Sequence, residues 1–391
     1  MKQAVILAAG EGQRLRPFTV NRPKAMLSIA DKPILQYIIE ALSRNGIRNI
    51  VLVVGYRKEQ VYDYLGSGEK LGVNITYINQ LSQLGTAHAL WQARDAVDNE
   101  FLVLPGDNLI EAPTIADFVQ VKPEALLAKR VDNPVRYGVV NIEDGEVHNI
   151  VEKPKEATSN LVNTGIYAFT KDVFKFMEGV LDIPDVLNSM LAEGYTINAL
   201  ETEGTWLDVV YPWDIISLNN AVLKNIGVSL GGTVETGVSL RGNVMIGAES
   251  VVRSGSCIYG PAVIGSGCDI GPQVCLMPAT SIGDNVTISP FTEIKNSVIG
   301  DDVVIGPGCI ISDSVIDKGC VLKGRFTAIG GPSEVRVNGE SATINIGVII
   351  GEECRVDSGV TAQPGVIVGN YCQVQTMKVL SGRLPDHSLV Y

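Results

Sequence analysis

From Val234 to Ile294 an aliphatic residue returns at every sixth position: Val234, Leu240, Ile246, Val252, Ile258, Ile264, Ile270, Leu276, Ile282, Ile288 and Ile294. The series shifts once and resumes at Ile299, Ile305 and Ile311, then shifts again at Ile316 and Leu322. After a break it returns at Ile344, Ile350, Val356, Ala362, Val368 and Val374. A fixed hexad is the mark of a parallel β-helix. One aliphatic residue per face points inward, and three hexads close one triangular coil. Gly follows many of these positions, as in Ile246-Gly247, Ile264-Gly265 and Ile282-Gly283. The chain carries 41 Gly against 8 Phe and 3 Trp, a balance that suits many tight turns. All 7 Cys lie in this half, and none forms a CxxC pair, which argues against a metal or redox role. Cys268, Cys309, Cys320, Cys354 and Cys372 each stand four residues after an inward aliphatic. That slot calls for a small side chain, so these Cys read as buried fillers. Gly331–Thr343 interrupts the hexad and reads as a loop leaving the prism.

The first half follows a different pattern. Gln3–Leu7, Asn49–Val54, Ile75–Ile78 and Phe101–Leu104 are short apolar strands. Pro33–Asn45, Glu59–Leu65 and Ala87–Ala96 between them read as helices, the first with Pro at its start and Gly46 after its end. Strands alternating with helices predict an α/β domain with a mostly parallel sheet. Ligands of such sheets bind beyond the carboxyl ends of the strands, where Gly10 and Asp107 fall. Pro212–Ile226 reads as a helix joining the two parts. The chain therefore divides into residues 1–226, an α/β domain, and 227–391, the hexad domain. A length of 391 residues is ample for two cores.

A net charge of −12 is a poor basis for binding nucleic acid, which needs clustered Lys and Arg. No apolar run approaches the roughly 18 residues that cross a bilayer. The N-terminus has no signal-peptide layout, so a cytoplasmic protein with no membrane partner is expected.

The strongest local motif is Leu7-Ala8-Ala9-Gly10-Glu11-Gly12-Gln13-Arg14-Leu15-Arg16-Pro17, followed by Pro23-Lys24-Ala25-Met26-Leu27. A strand opens into a Gly/Ala turn whose bare backbone N–H groups can approach phosphate oxygens. Arg14 and Lys24 add fixed positive charge. Further along stand Gln80, Leu84-Gly85-Thr86-Ala87, Gly106-Asp107-Asn108, Tyr137-Gly138, Glu152-Lys153-Pro154, Asn163-Thr164-Gly165 and Trp206-Leu207-Asp208. In this order and spacing the motifs resemble the sugar-1-phosphate nucleotidylyltransferases. With the hexad domain included, nearly the whole chain resembles the two-domain members, including the archaeal bifunctional type. The resemblance implies a Rossmann-like catalytic domain followed by a left-handed parallel β-helix.

It also implies roles. Arg14 would hold a nucleoside triphosphate and neutralise the departing pyrophosphate. Lys24 would sit on the α-phosphate side, and Asp107 and Asp208 would share a Mg²⁺. Leu7, Ala9, Gly10, Gly12, Gln80, Gly85 and Thr86 would bind the nucleotide, with Gln80 reading a pyrimidine edge. Tyr137, Gly138, Glu152, Lys153, Asn163 and Thr164 would bind the sugar phosphate. The chemistry needs no general base, because a sugar-1-phosphate oxygen is already an anion. The implied substrates are UTP or dTTP with N-acetylglucosamine-1-phosphate or glucose-1-phosphate. A mannose-1-phosphate guanylyltransferase and a non-catalytic sugar-nucleotide-binding regulator are the competing readings. The second would be expected to lose Arg14, Lys24 or a carboxylate, and all are present.

Bifunctional relatives acetylate an amino-sugar phosphate in the hexad domain, with a His before a Gly/Ser-Asp-Ser-Val-Ile stretch. Here Ser312-Asp313-Ser314-Val315-Ile316 is present, but the matching position is Pro307. Of 3 His, His88 and His148 lie in the first domain, and His88 is expected to face its helix surroundings rather than the chemistry. His387 lies in a terminal tail beyond the last regular hexad. The hexad domain is thus expected to be a scaffold for a homo-oligomer, a trimer by resemblance, rather than an acetyltransferase.

Overall fold

The computed structural model describes residues 1–337 and 340–391. They fall into two compact units. The first comprises Met1–Glu11, Asn21–Leu27 and Pro33–Asp208. The second comprises Gly12–Val20, Ser28–Lys32 and Val209–Tyr391.

In the first unit β1 (Gln3–Ala8), β2 (Asn49–Val54), β3 (Asn74–Asn79) and β4 (Glu100–Pro105) pair in parallel in the order β3-β2-β1-β4. Between them run α1 (Ile34–Arg44), α2 (Lys58–Leu65) and α3 (Thr86–Gln92). Pro33 precedes α1 in extended conformation, and Gly46 follows it at a φ of 81°. Only α1 residues on one stripe are fully buried, among them Ile34, Leu35, Ile38, Ile39 and Leu42. The central strands β1 and β2 are apolar along almost their whole length because helices cover both faces.

Beyond β4 the sheet turns mixed. β6 (Ala125–Arg130), β7 (Gly138–Glu143), β8 (Glu146–Glu152), β9 (Leu161–Thr170) and β10 (Asn198–Glu201) extend it in the order β4-β9-β6-β10-β8-β7. Of these pairings only β10 with β6 is parallel. The parallel half is therefore the half whose strands alternate with helices in sequence. A separate two-stranded ribbon joins β5 (Asn108–Ile110) to β11 (Trp206–Asp208), with Asn108 opposite Asp208.

The second unit is the left-handed β-helix. Its three parallel sheets hold nine, nine and eight strands. On one face Ile246, Ile264, Ile282, Ile299, Ile316, Ile350 and Val368 stack in register. The two shifts in the hexad are shorter coils, one ending at Ile299 and one at Ile316, and the stacking passes through both. The Cys fillers at 268, 309, 320, 354 and 372 are all buried, with free thiols. They do more than fill space, because each Sγ points at a carbonyl: Cys320 at Gly351 (3.1 Å), Cys354 at Gly369 (3.0 Å) and Cys372 at Pro385 (3.1 Å).

Three readings of the hexad are corrected. Gly331–Val337 and Glu340–Ile346 form an antiparallel β-hairpin rather than an irregular loop; Asn338 and Gly339 at its tip lie outside the described residues. Ile344 pairs with Ser333 in that hairpin, so it is not an inward coil position. The end of the chain is not a tail: Leu384 pairs with Val368 and Val390 with Val374, adding a further coil that contains His387. Its hydrophobic signal was weak because Pro385 to Ser388 leave few apolar residues there.

The helix expected to join the domains is α5 (Asp214–Leu223), which belongs to the second unit. Its fully buried Asn219 accepts from Ser281 Oγ (2.6 Å) and the Ala30 amide (3.2 Å) and donates to the Ala279 carbonyl (3.2 Å). The N-terminal segment Gly12–Val20 is tied into the same unit by Asn370, whose Nδ2 donates to the Pro17 carbonyl (3.1 Å). Among the described residues no helix is long and apolar enough to cross a membrane.

Candidate active site

A cavity of about 660 Å³ opens in the first unit at the carboxyl ends of β1 and β4. Sheet geometry requires this location. Leu7, Ala9 and Gly10 leave β1 there, and Pro105, Asp107 and Asn108 leave β4. Gly106 turns the chain so tightly that a Cβ there would lie 2.7 Å from Ala8 Cβ.

The charged centre is Lys24, Asp107 and Asp208. Lys24 opens a short 3₁₀ turn after Pro23. Its ammonium pairs with Asp107 Oδ2 and lies 3.5 Å from Asp208 Oδ1. The two carboxylates meet because the β5–β11 ribbon sets Asp208 beside the residue that follows Asp107. The Lys24 side chain is only 16% exposed. Burial alone would lower its pKa, but the two carboxylates outweigh it and the ammonium is held above its ordinary value. Asn108, buried behind Asp107, can donate to Asp107 Oδ1 (2.8 Å) while accepting from Trp206 Nε1 (2.9 Å).

One wall carries Gln80, Gln83, Gly85, Thr86 and Ala89. Gly85 precedes α3, and a Cβ there would run into the Leu181 carbonyl. Thr86 serves the fold: its amide and hydroxyl donate to Asp182 Oδ1 (3.2 and 3.3 Å), and its Oγ1 accepts from the Ile183 amide (3.0 Å). That latch brings Asp182, Ile183, Pro184 and Asp185 to the cavity rim, at the start of α4 (Ile183–Ala192).

The opposite wall carries Arg136, Tyr137, Gly138, Glu152, Lys153, Asn163, Thr164 and Tyr167. Gly138 faces Glu152 across the β7–β8 pair, and a Cβ there would sit 2.8 Å from Glu152 Oε2. Glu152 and Lys153 are about half exposed and 3.5 Å apart, open to a polar ligand. Asn163 donates to Tyr167 Oη (2.7 Å) and accepts from the Gly165 amide (3.0 Å), so its orientation is set. Burial pushes the Tyr167 phenol well above its usual range. Thr164 is buried and spends its hydroxyl on the Leu127 carbonyl (2.6 Å).

The cavity thus gathers Leu7, Ala9, Gly10, Lys24, Gln80, Gly85, Thr86, Asp107, Tyr137, Gly138, Glu152, Lys153, Asn163, Thr164 and Asp208. Gly12 and Arg14 are not among its lining residues. They lie in the Gly12–Val20 segment of the second unit, Arg14 in a 3₁₀ turn over Gln13–Leu15. Sequence reasoning passed over Arg136, Asp182 and Asp185. Asp-Ile-Pro reads as a helix start, but nothing local links it to the cavity. His387, in the last coil of the β-helix, stacks on Tyr371 with centroids 4.9 Å apart.

Comparison with known proteins agrees with this arrangement. The nucleotidyl transferase family model matches residues 3–225, and a model described as GlmU-like, C-terminal hexapeptide matches residues 217–336. The chain is 36% identical to the bifunctional protein GlmU of Methanococcus vannielii, across 99% of this chain and 97% of that one. It is 33% identical to a bifunctional sugar-1-phosphate nucleotidylyltransferase/acetyltransferase of Sulfurisphaera tokodaii, across 95% of each. A crystal structure of a Bacillus anthracis protein, provisionally assigned as a glucose-1-phosphate thymidylyltransferase and holding sucrose, is similar with a TM-score of 0.53. It is 32% identical and covers 58% of this chain and 97% of its own. With a cavity floored by Lys24, Asp107 and Asp208 and hexad coils stacked after it, the chain belongs to the nucleotidyl transferase family, in its branch with a GlmU-like hexapeptide domain.

Proposed function

We propose that the chain transfers UMP, or dTMP, from the triphosphate to N-acetylglucosamine-1-phosphate or glucose-1-phosphate. The observation that carries this is Lys24 set between Asp107 and Asp208 on the floor of a cavity with two different polar walls. The names of relatives support a sugar-1-phosphate acceptor and, in one case, thymidylyl transfer to glucose-1-phosphate; the order of the motifs supports UTP and N-acetylglucosamine-1-phosphate by resemblance. The sugar-phosphate oxygen attacks the α-phosphorus, the bond to the β-phosphate breaks, and pyrophosphate leaves. Lys24 offsets charge at the α-phosphate, and Arg14 holds the β- and γ-phosphates. Leu7, Ala9, Gly10, Gly12, Gln80, Gly85 and Thr86 form the nucleotide side. Tyr137, Gly138, Glu152, Lys153, Asn163 and Thr164 form the sugar side.

Asp107 and Asp208 fit a hard divalent ion such as Mg²⁺, since two oxygen donors converge where the Lys24 ammonium now sits. Among the described residues no third His, Cys, Asp or Glu joins them, so phosphate and water oxygens would complete the shell. Such an ion would draw charge from the phosphate oxygens.

We also read the second domain as an assembly scaffold, with a trimer as its form. Its surface leaves Phe291, Met377, Val379 and Tyr391 exposed, and repeat arrays need their faces and ends covered. The enzyme works where its charged, membrane-impermeant substrates are made, in the cytoplasm. A pyrophosphate-release screen across five nucleoside triphosphates and four hexose-1-phosphates tests the reading, with light scattering for the trimer. Turnover with UTP or dTTP and a gluco-configured sugar is expected. Preference for GTP with mannose-1-phosphate would replace it, and no turnover from folded protein would sink it. Acetyl-CoA with glucosamine-1-phosphate is expected to give no product.

A further inference from the structure

His88 has no part in the roles above, yet the structure places it against Gln80. Its Nδ1 lies 2.9 Å from Gln80 Nε2, and the same Nε2 lies 3.2 Å from the Gly85 carbonyl. The carbonyl decides which end of the amide faces it, because an oxygen there would meet another acceptor. With Nε2 so placed, His88 Nδ1 must accept, and the ring proton belongs on its Nε2. The Gln92 amide nitrogen, one helical turn on, lies 3.4 Å from that Nε2 and donates to the His88 backbone carbonyl (3.4 Å).

The consequence is chemical. A primary amide has two N–H donors, and Gly85 and His88 take both. What remains of the side chain is Oε1, a pure acceptor, on a residue that is 4% exposed and lines the cavity. A base edge that meets it must offer a ring N–H. Uracil and thymine do so at N3, and guanine at N1. Cytosine N3 and adenine N1 are acceptors and would be left facing an oxygen. A single freely turning amide could serve either kind of edge; this one cannot turn.

We infer that His88 is a positioning residue for base selection, holding Gln80 with its carbonyl oxygen free so that the site takes UTP or dTTP over CTP. The inference rests on Gln80 reading the base, as proposed above. It gives the His of Gly85-Thr86-Ala87-His88 a specific task.

The test compares UTP with CTP in the full-length chain at saturating N-acetylglucosamine-1-phosphate. His88→Ala and His88→Leu remove the acceptor, one with and one without loss of volume. His88→Asn restores an acceptor oxygen near the place of Nδ1, and Gln80→Ala is the reference. Melting curves establish that each variant is folded. In the Ala and Leu variants the UTP-to-CTP ratio of kcat/KM is expected to fall about tenfold, through KM for UTP and with kcat little changed. The Asn variant is expected to recover most of it. If Gln80→Ala collapses the ratio while both His88 variants keep it within about twofold, His88 does not position the amide. If Gln80→Ala also leaves the ratio intact, the base is read elsewhere, and both the reading of Gln80 and this inference fall.

Discussion

The two units solve opposite problems. The β-helix turns an aliphatic residue inward from every face of every coil, and its polar atoms are consumed coil by coil. The α/β unit does the reverse at one edge. Where β1 and β4 end, it leaves charged and amide groups facing a cavity of about 660 Å³. Lys24, Asp107 and Asp208 come from three distant parts of the chain to reach it. A periodic fold spreads its stability evenly and has little room for convergent side chains. An open sheet concentrates them, at the cost of partly buried charge. Chemistry and stability should therefore respond separately to substitution in the two units.

The sharpest test of that separation is Asp107→Asn. It leaves Lys24 with one carboxylate fewer and removes one of the two proposed metal ligands, and kcat/KM is expected to fall about 1,000-fold while the melting temperature barely moves. A large loss of stability instead would mean that the ion pair holds the unit together. The mirror experiment is Ile316→Ala, at a fully buried position in the stacked face. Denaturant unfolding should show a loss of about 2–5 kcal/mol, with kcat at 25 °C unchanged. A matching fall in kcat would erase the distinction between the units.

A finer probe is the small-residue slot. Cys354→Leu must overfill a fully buried site and should cost about 1–3 kcal/mol. Cys354→Ser keeps a donor toward the Gly369 carbonyl and should stay within about 1 kcal/mol of the parent. Equal costs would mean that the slot selects neither size nor donor.

The smallest effect concerns Glu124, a buried carboxylate of the α/β unit. Its Oε1 accepts from the Thr170 amide and hydroxyl (3.0 and 2.6 Å), and its Oε2 has no partner. Burial holds its pKa above the usual range; the Thr170 bonds offset part of that, and Asp172 adds to it. A raised folded-state value means that folding favours the neutral acid. That stabilisation is complete below the unfolded-state value and is lost as pH rises through the folded one. Glu124→Gln should remove this dependence. Relative to the parent, it should gain stability as pH rises above the unfolded-state Glu value of about 4.3, as read by chemical unfolding at each pH. A parallel pH profile for both proteins would show that Glu124 titrates normally.

The two units also differ in how much of them is legible in the chain. In the β-helix, spacing and architecture are the same information, so the stacked residues could be named outright. It failed only where the period is broken by something that pairs locally, as with Ile344 in the hairpin, or where polar turn residues dilute the signal, as at Leu384 and Val390. In the α/β unit the parallel half could be read from its alternating helices. The mixed half could not, because β6 to β9 follow one another without the α-helices that mark a crossover. Most of the cavity's residues carried a recognisable motif. Asp182 and Asp185 did not, since they reach the rim through contacts of Thr86, Ala87 and His88 with residues 181–183, far apart in sequence.

The second unit takes Gly12–Val20 and Ser28–Lys32 from the N-terminal region as well as everything after Val209. Its boundary therefore crosses the chain several times, and no single cut separates the two units. A crossover between related genes at one point near residue 226 would bring in foreign coils. They would have to supply a match for Asn370 at a Pro17 they had never met. Exchange of the β-helix between relatives, in nature or in the laboratory, should thus succeed only when the short N-terminal segments travel with it.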